Sequence, residues 1–294
     1  MASGPLLDRE FLEKLERLTI HWQKSFAGLV GGHNRSRFPG AGQEFLDHRN
    51  FHHGDDLRAV NWRAYLRLEK LFLKMFQVEP RVPVRMLIDF SDSMLAHGGQ
   101  KFDFARKLAA TLCYIGLVRL DSMEPHGFAS RLSQRIFSTG GRHRFGAVMD
   151  ALAALPSGGA SDYQAVVREF IGSYSQRGLL IIIGDFLDDQ GCERALQYLT
   201  DFGHELMLLQ LWSEEDRTPP WTGELELRDA ETGTALKLDF DDAARERYTR
   251  AFDEYAAGIQ TMALRSGGRY AGICTSQPLE DVIFGELIRA RGIA

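Results

Sequence analysis

The sequence predicts an α/β fold, a mostly parallel sheet flanked by helices. Residues 84–90 read Val-Arg-Met-Leu-Ile-Asp-Phe and residues 179–184 read Leu-Leu-Ile-Ile-Ile-Gly, apolar runs of strand length. Such runs suit strands buried on both faces. Between and after them, apolar residues recur at three- and four-residue spacing, as with Phe104, Ala105, Leu108, Leu112 and Ile115 over 101–120. Strand and helix in alternation build parallel sheets covered on both sides.

Leu7, Phe11, Leu15, Leu18 and Trp22 predict an amphipathic helix over residues 6–30, ending near Gly31-Gly32. From His33 to about Asp56 the chain is polar and glycine-bearing, with loops or short strands expected. Residues 57–76 are rich in aromatic and basic side chains, and periodicity leaves helix and mixed structure both open. After the strand at 84–90 and the helix at 101–120, a short strand pair is expected near 123–129 and 132–137. Helices at 143–155 and 162–175 precede the strand at 179–184. A helix at 190–200 and a strand at 204–211 follow. The stretch 213–238 breaks this rhythm. Pro219-Pro220 stops regular structure, and alternating runs at 224–228 and 234–238 flank Gly233, so a β-hairpin insertion is expected. A helix at 241–263, a strand at 269–274 and a helix from Leu279 to Ile288 complete the chain. Two parts are expected: an N-terminal helix and extension over 1–80, packed on or beside the α/β domain of 81–294.

The 294 residues suffice for a large core. A formal charge of −5 offers no general attraction to nucleic acid or an anionic membrane. Cys113, Cys192 and Cys274 are distant and odd in number, which argues against a disulfide scaffold or a structural zinc site. The polar N-terminus lacks a signal-peptide core, and no segment reaches the roughly 18–20 apolar residues of a membrane span, so cytoplasm is the expected location.

Asp89 ends the first strong strand, and Ser91 and Ser93 follow at alternate positions. Carboxyl ends of parallel strands face the ligand crevice. Three oxygen-bearing side chains around one point are hard ligands, suited to Mg²⁺, Mn²⁺ or Ca²⁺. Asp185 follows the second strong strand, so two carboxylates would converge at one sheet edge, the second as ligand or as orienter of a bound water. The same pattern is also compatible with a metal-dependent phosphohydrolase. It is equally compatible with Asp and Ser as helix caps and turn formers, Asp92 being a turn residue.

A longer ordered block carries a resemblance. Gly42-Gln43-Glu44-Phe45, Arg49, Gly54-Asp55-Asp56, Leu57-Arg58 and Asn61-Trp62-Arg63 lead through Phe76 and Glu79 to Leu87-Ile88-Asp89-Phe90-Ser91-Asp92-Ser93-Met94. In this block, and over roughly residues 35–290, the chain resembles the bacterial and archaeal family of unknown function numbered fifty-eight, relatives of von Willebrand factor A domains. The resemblance implies a von Willebrand A-like, Rossmann-like fold. It implies that Asp89, Ser91 and Ser93 match the first loop of a metal-ion-dependent adhesion site and Asp185 its late Asp. The middle Thr of that pattern has Thr139 as its candidate, within Ser138-Thr139-Gly140-Gly141-Arg142; Arg142 and His143 would oppose a cation if they faced it. Protein–protein binding is implied, with a partner acid completing the ion's shell. A MoxR-type AAA+ ATPase is the implied partner. Many relatives also carry membrane helices, a feature this sequence does not show.

His33, His48, His52 and His53 cluster near the N-terminus without the ligand spacing of a zinc site. Arg49, Arg58, Arg63, Arg67, Lys70 and Lys74 interleave there with Trp62, Tyr65 and Phe72. A structural clamp is the leading reading, and Arg49, Arg58, Trp62 and Arg63 are candidate partner contacts. No glycine-rich phosphate loop or Gly-x-Ser-x-Gly elbow occurs. The functions carried forward are a metal-ion-dependent protein-binding or adaptor module, a metal-dependent phosphohydrolase, and a structural scaffold whose site is metal-free.

Overall fold

The computed structural model describes residues 7–21, 37–39, 44–52, 60–77, 83–133, 135–138, 141–188 and 192–293. The chain divides into two compact units, one of Met1–Lys24 with Val82–Ala294 and one of Ser25–Arg81.

Helix α1 (Arg9–Leu15) starts where Asp8 accepts a hydrogen bond from the Phe11 amide at 2.8 Å. It is shorter than its apolar spacing predicts. Leu18 and Ile20 are buried by a different route: the chain turns, and Ile20 pairs in an antiparallel bridge with Ile293. The His21 amide donates to the Gly292 carbonyl at 2.9 Å, so the chain has left the helix by Ile20; the rest of the expected helix, residues 22–30, lies outside the described residues.

In the smaller unit, β1 (Arg37–Pro39), β2 (Glu44–Asn50) and β3 (Phe72–Gln77) form an antiparallel sheet in the order β1-β3-β2. Helix α2 (Trp62–Leu68) interrupts it, capped by Asn61 and closed by Glu69 in the left-handed region. Over 57–76, where periodicity leaves helix and mixed structure both open, the described residues form one short helix and one strand.

The larger unit carries the main sheet. Strand β4 (Pro83–Asp89) leads through α3 (Asp92–Leu95) and α4 (Gln100–Val118) to β5 (Ser122–Phe128). Helices α5 (Phe145–Ala153) and α6 (Tyr163–Ser173) precede β6 (Leu179–Gly184); α7 (Cys192–Asp201) then leads to β7 (Glu205–Trp212). A short α8 (Glu214–Arg217) and the β8 (Gly223–Arg228) and β9 (Ala235–Phe240) hairpin come next. Helix α9 (Asp242–Arg265), β10 (Arg269–Cys274) and α10 (Leu279–Asp281), which continues as a π-helical segment Val282–Leu287, close the chain.

The five strands run parallel in the order β10-β7-β6-β4-β5. The strand expected at 132–137 is reduced to antiparallel bridges against β5, at Phe128–Leu132 and Met123–Ser138. Side-chain alternation divides the core. Val84, Met86, Ile88, Leu179, Ile181 and Ile183 face α1, α4, α5 and the C-terminal segment. Leu87, Leu180 and Ile182 face α6, α7 and α9. Burial on both faces explains the uninterrupted apolar runs in β4 and β6. Among the described residues no helix is long and apolar enough to cross a membrane.

Counted along the chain, the sheet order is 2-1-3-4-5, and it reverses between β4 and β6. Ligand crevices of open α/β sheets lie at such reversals, outside the carboxyl ends of the strands. The two strands close tightly there. A Cβ built on Gly184 would lie 2.8 Å from Asp89 Cβ and 2.9 Å from the Tyr163 hydroxyl. Gly184→Ala is therefore expected to destabilise the protein by about 1–3 kcal/mol through overpacking, read from the midpoint of urea unfolding.

Candidate functional site

Asp89 is the last residue of β4, and Asp185 is the first after β6, the neighbouring strand. Both side chains are buried. Asp89 is held by neutral donors: the Ser91 amide donates to Oδ1 and the Tyr163 hydroxyl to Oδ2, each at 3.0 Å. Ser91 stands at the N-cap of α3, yet its hydroxyl makes no capping bond. It lies instead 2.9 Å from the Ser93 hydroxyl. The alternate spacing Asp89, Ser91, Ser93 thus gathers two hydroxyls next to one carboxylate. Asp92 faces the 158–159 loop, its amide donating to the Gly159 carbonyl at 2.9 Å.

Asp185 has a cation of its own. Lys101 Nζ lies 3.0 Å from Asp185 Oδ2 and 3.1 Å from Asp216 Oδ2, with its side chain only 2% exposed. The remaining Asp185 oxygen accepts from the Leu187 amide at 3.1 Å, a contact made after Phe186 turns the chain through a positive φ of 60°. Phe186 is a bulky residue in a costly conformation. Its carbonyl accepts from the Tyr255 hydroxyl at 2.5 Å, and its ring stacks on Tyr163. Gln210 of β7 donates to the Asp185 carbonyl at 3.2 Å and accepts from the Tyr270 hydroxyl at 2.7 Å.

These surroundings set the charges. Burial pushes the Asp89 carboxyl up to about 7, and the charge of Asp185 pushes in the same direction, against the Ser91 and Tyr163 hydrogen bonds. Burial on its own would lower the Lys101 ammonium, but Asp185 and then Asp216 outweigh it, so its pKa is raised and the lysine stays charged. Tyr163 is pushed well up by burial and by Asp89, which keeps its hydroxyl a donor.

Several participants were not singled out by the sequence reading. Lys101 occupies the apolar stripe of α4, one turn before Phe104 and Ala105, and a lysine on that face was the available signal. Asp216 belongs to a capping box with Ser213, legible as Ser-x-x-Asp. Tyr163 looks like an ordinary core aromatic in the Tyr163, Val166, Val167, Phe170 stripe. Glu231, at the hairpin tip, accepts from the Ser161 amide at 2.9 Å and hydroxyl at 3.2 Å, and no local pattern announces it.

Thr139 and Arg58 lie outside the described residues, as do His33 and His53. Arg142 binds Glu16 at 2.9 Å in the N-terminal segment. Arg49 lies on β2, and Trp62 and Arg63 start α2, with Trp62 exposed and edge-on to Tyr65 at 6.1 Å. They belong to the smaller unit, separate from the unit that holds Asp89, Ser91, Ser93 and Asp185.

Both oxygens of Asp89 and both of Asp185 already accept hydrogen bonds, and an ammonium ion lies against Asp185. Among the described residues, no group of three or more His, Cys, Asp or Glu side chains is placed to hold a metal ion. Lys101→Met should leave two carboxylates without their cation and destabilise the fold by about 3–5 kcal/mol in urea unfolding. Lys101→Met with Asp185→Asn should recover part of that loss. For Asp89 the sign follows from its raised pKa. The native state holds a proton that the unfolded chain has released, so stability falls as pH rises from about 4 to about 7. Asp89→Asn should remove this slope and raise the melting temperature above pH 7, while matching the wild type near pH 4.

The model of the family described as "Protein of unknown function DUF58" matches residues 47–257. The uncharacterised protein Rv1480 of Mycobacterium tuberculosis is 23% identical over 301 aligned positions, covering 99% of this chain and 94% of that protein. The uncharacterised protein MAV169 of Mycobacterium avium is 26% identical over 137 positions, covering 46% of this chain and 80% of that protein. Among solved structures, the conserved hypothetical protein BatB of Bacteroides thetaiotaomicron aligns with a TM-score of 0.42 at 16% identity, over 71% of this chain and 98% of that one. An aerotolerance-related membrane protein of Bacteroides fragilis aligns with a TM-score of 0.40 at 16% identity, over 71% and 99%. With most of its length matched by the family model, the chain belongs to the DUF58 family.

Proposed function

We propose that this chain is a protein-binding module whose sheet-end site works without a metal ion, Lys101 supplying the positive charge that a divalent cation would otherwise bring. The observation that supports it is the buried Lys101 ammonium, shared at hydrogen-bonding distance between Asp185 and Asp216. A charge bound through the chain cannot be chelated or exchanged. Asp89, Ser91, Ser93 and Asp185 then serve as a fixed polar rim rather than as ion ligands. The family resemblance points to a MoxR-type AAA+ ATPase as partner. It points to binding rather than turnover, with the chain acting as an adaptor or scaffold.

The competing arrangement has Mg²⁺ or Mn²⁺ on Asp89, Ser91, Ser93 and Asp185, with a partner acid completing the shell. Titration calorimetry of the purified chain with MgCl₂ and MnCl₂ separates the two. The proposal expects only heats of dilution, and equal capture of a MoxR-type ATPase in Mg²⁺ and in EDTA. A saturable heat that vanishes in Asp89→Asn, or capture abolished by EDTA, would contradict it.

A further inference from the structure

The β8–β9 hairpin stands apart from the main sheet as a two-stranded ribbon. Its strands are largely exposed, with Leu225, Leu227 and Leu238 half-buried and Phe240 buried at the base. The base is fixed: Arg245 donates to the Pro219 carbonyl at 3.1 Å and to the Trp221 carbonyl at 2.9 Å. The tip is shaped from within. Asp229 Oδ1 accepts from the Glu231 amide at 3.1 Å, the Thr232 amide at 2.6 Å and the Thr232 hydroxyl at 2.7 Å. Gly233 supplies the positive φ of 70° that the turn needs.

That turn aims Glu231 across the mouth of the crevice. Its Oε2 accepts from Ser161, seventy residues earlier in the chain, through both amide and hydroxyl. The Ser161 hydroxyl also lies within hydrogen-bonding distance of the Leu187 carbonyl, at 3.3 Å. Glu231 Oε1 is sealed from solvent without an aligned donor. Between the tip and the sheet lies a cavity of about 420 Å³, with Ser93, Lys101 and Asp216 on one side and Asp229 and Glu231 on the other.

We propose that the hairpin is a cover over the crevice, clasped shut by Glu231 on Ser161, and that it must lift before a partner can reach Ser93 and Lys101. One carboxylate makes the clasp, accepting from the amide and hydroxyl of Ser161, at the tip of an arm whose base Arg245 holds. Burial and then the nearby charge of Asp185 act against the ionised Glu231, while Ser161 and Ser91 favour it.

The inference takes its purpose from the protein-binding reading, but its test does not depend on that reading. The full-length chain is compared with Glu231→Ala and Glu231→Gln, after thermal melts verify folding. Hydrogen exchange reports the Ser161 amide, and acetylation by acetic anhydride, mapped by mass spectrometry, reports Lys101 against the exposed Lys107. Glu231→Ala should speed both Ser161 exchange and Lys101 acetylation by about tenfold, with Lys107 unchanged and Glu231→Gln intermediate. Wild-type rates in Glu231→Ala would overturn the clasp. Faster Ser161 exchange with unchanged Lys101 acetylation would overturn the cover. Metal binding or chelator-sensitive capture would sink the metal-free reading and leave these rates unaffected.

Discussion

Two carboxylates at adjacent strand ends, both cut off from water, are the constraint from which the rest of this site follows. A parallel sheet buried on both faces brings the ends of β4 and β6 side by side, and Asp89 and Asp185 sit at those ends. Buried charges persist only when paired and hydrogen-bonded, or when they take up a proton. The molecule uses both routes. Asp185 is paired with Lys101, whose charge also serves Asp216. Asp89 receives neutral donors and keeps its proton up to about pH 7.

The lysine reaches that position through a specific local geometry. His97, Gly98 and Gly99 all adopt positive φ, at 52°, 78° and 77°. This run ends the short turn after Ser93 and starts α4 at Gln100. Lys101 then falls in the first turn of α4, on the stripe that faces the sheet. Asp216 arrives from the other side as the N3 residue of α8, where it also binds the Ser213 amide at 2.8 Å. One carboxylate therefore caps a helix and shares a buried cation, linking the C-terminal end of β7 to the mouth of β4 and β6.

The strands β4 and β6, the helices between them and the hairpin were legible because burial on both faces writes itself as a continuous apolar run, and helix packing as a three-to-four spacing. The residues at the strand ends were legible for the same reason: Asp89 and Asp185 interrupt runs that are otherwise apolar. The surroundings of those acids were hidden. Lys101 and Tyr163 sit in ordinary amphipathic stripes, and their roles depend on which helix covers which face, information that lies in the topology. Glu231 lies seventy residues from Ser161 in a polar turn, and only the folded hairpin brings them together. The N-terminal helix is shorter than its spacing predicts because Leu18, which fits the helical stripe, lies in the turn that carries Ile20 to its bridge with Ile293.

If Lys101 holds the place of a cation, ¹⁵N NMR of lysine ammonium groups in the intact chain reads it directly. The expected result is a slowly exchanging Lys101 signal, absent in Lys101→Met, that stays protonated beyond the ordinary lysine range and is indifferent to saturating Mg²⁺. A Lys101 signal that shifts or disappears as Mg²⁺ is added would contradict it, because the ion would then be competing with the ammonium for Asp185.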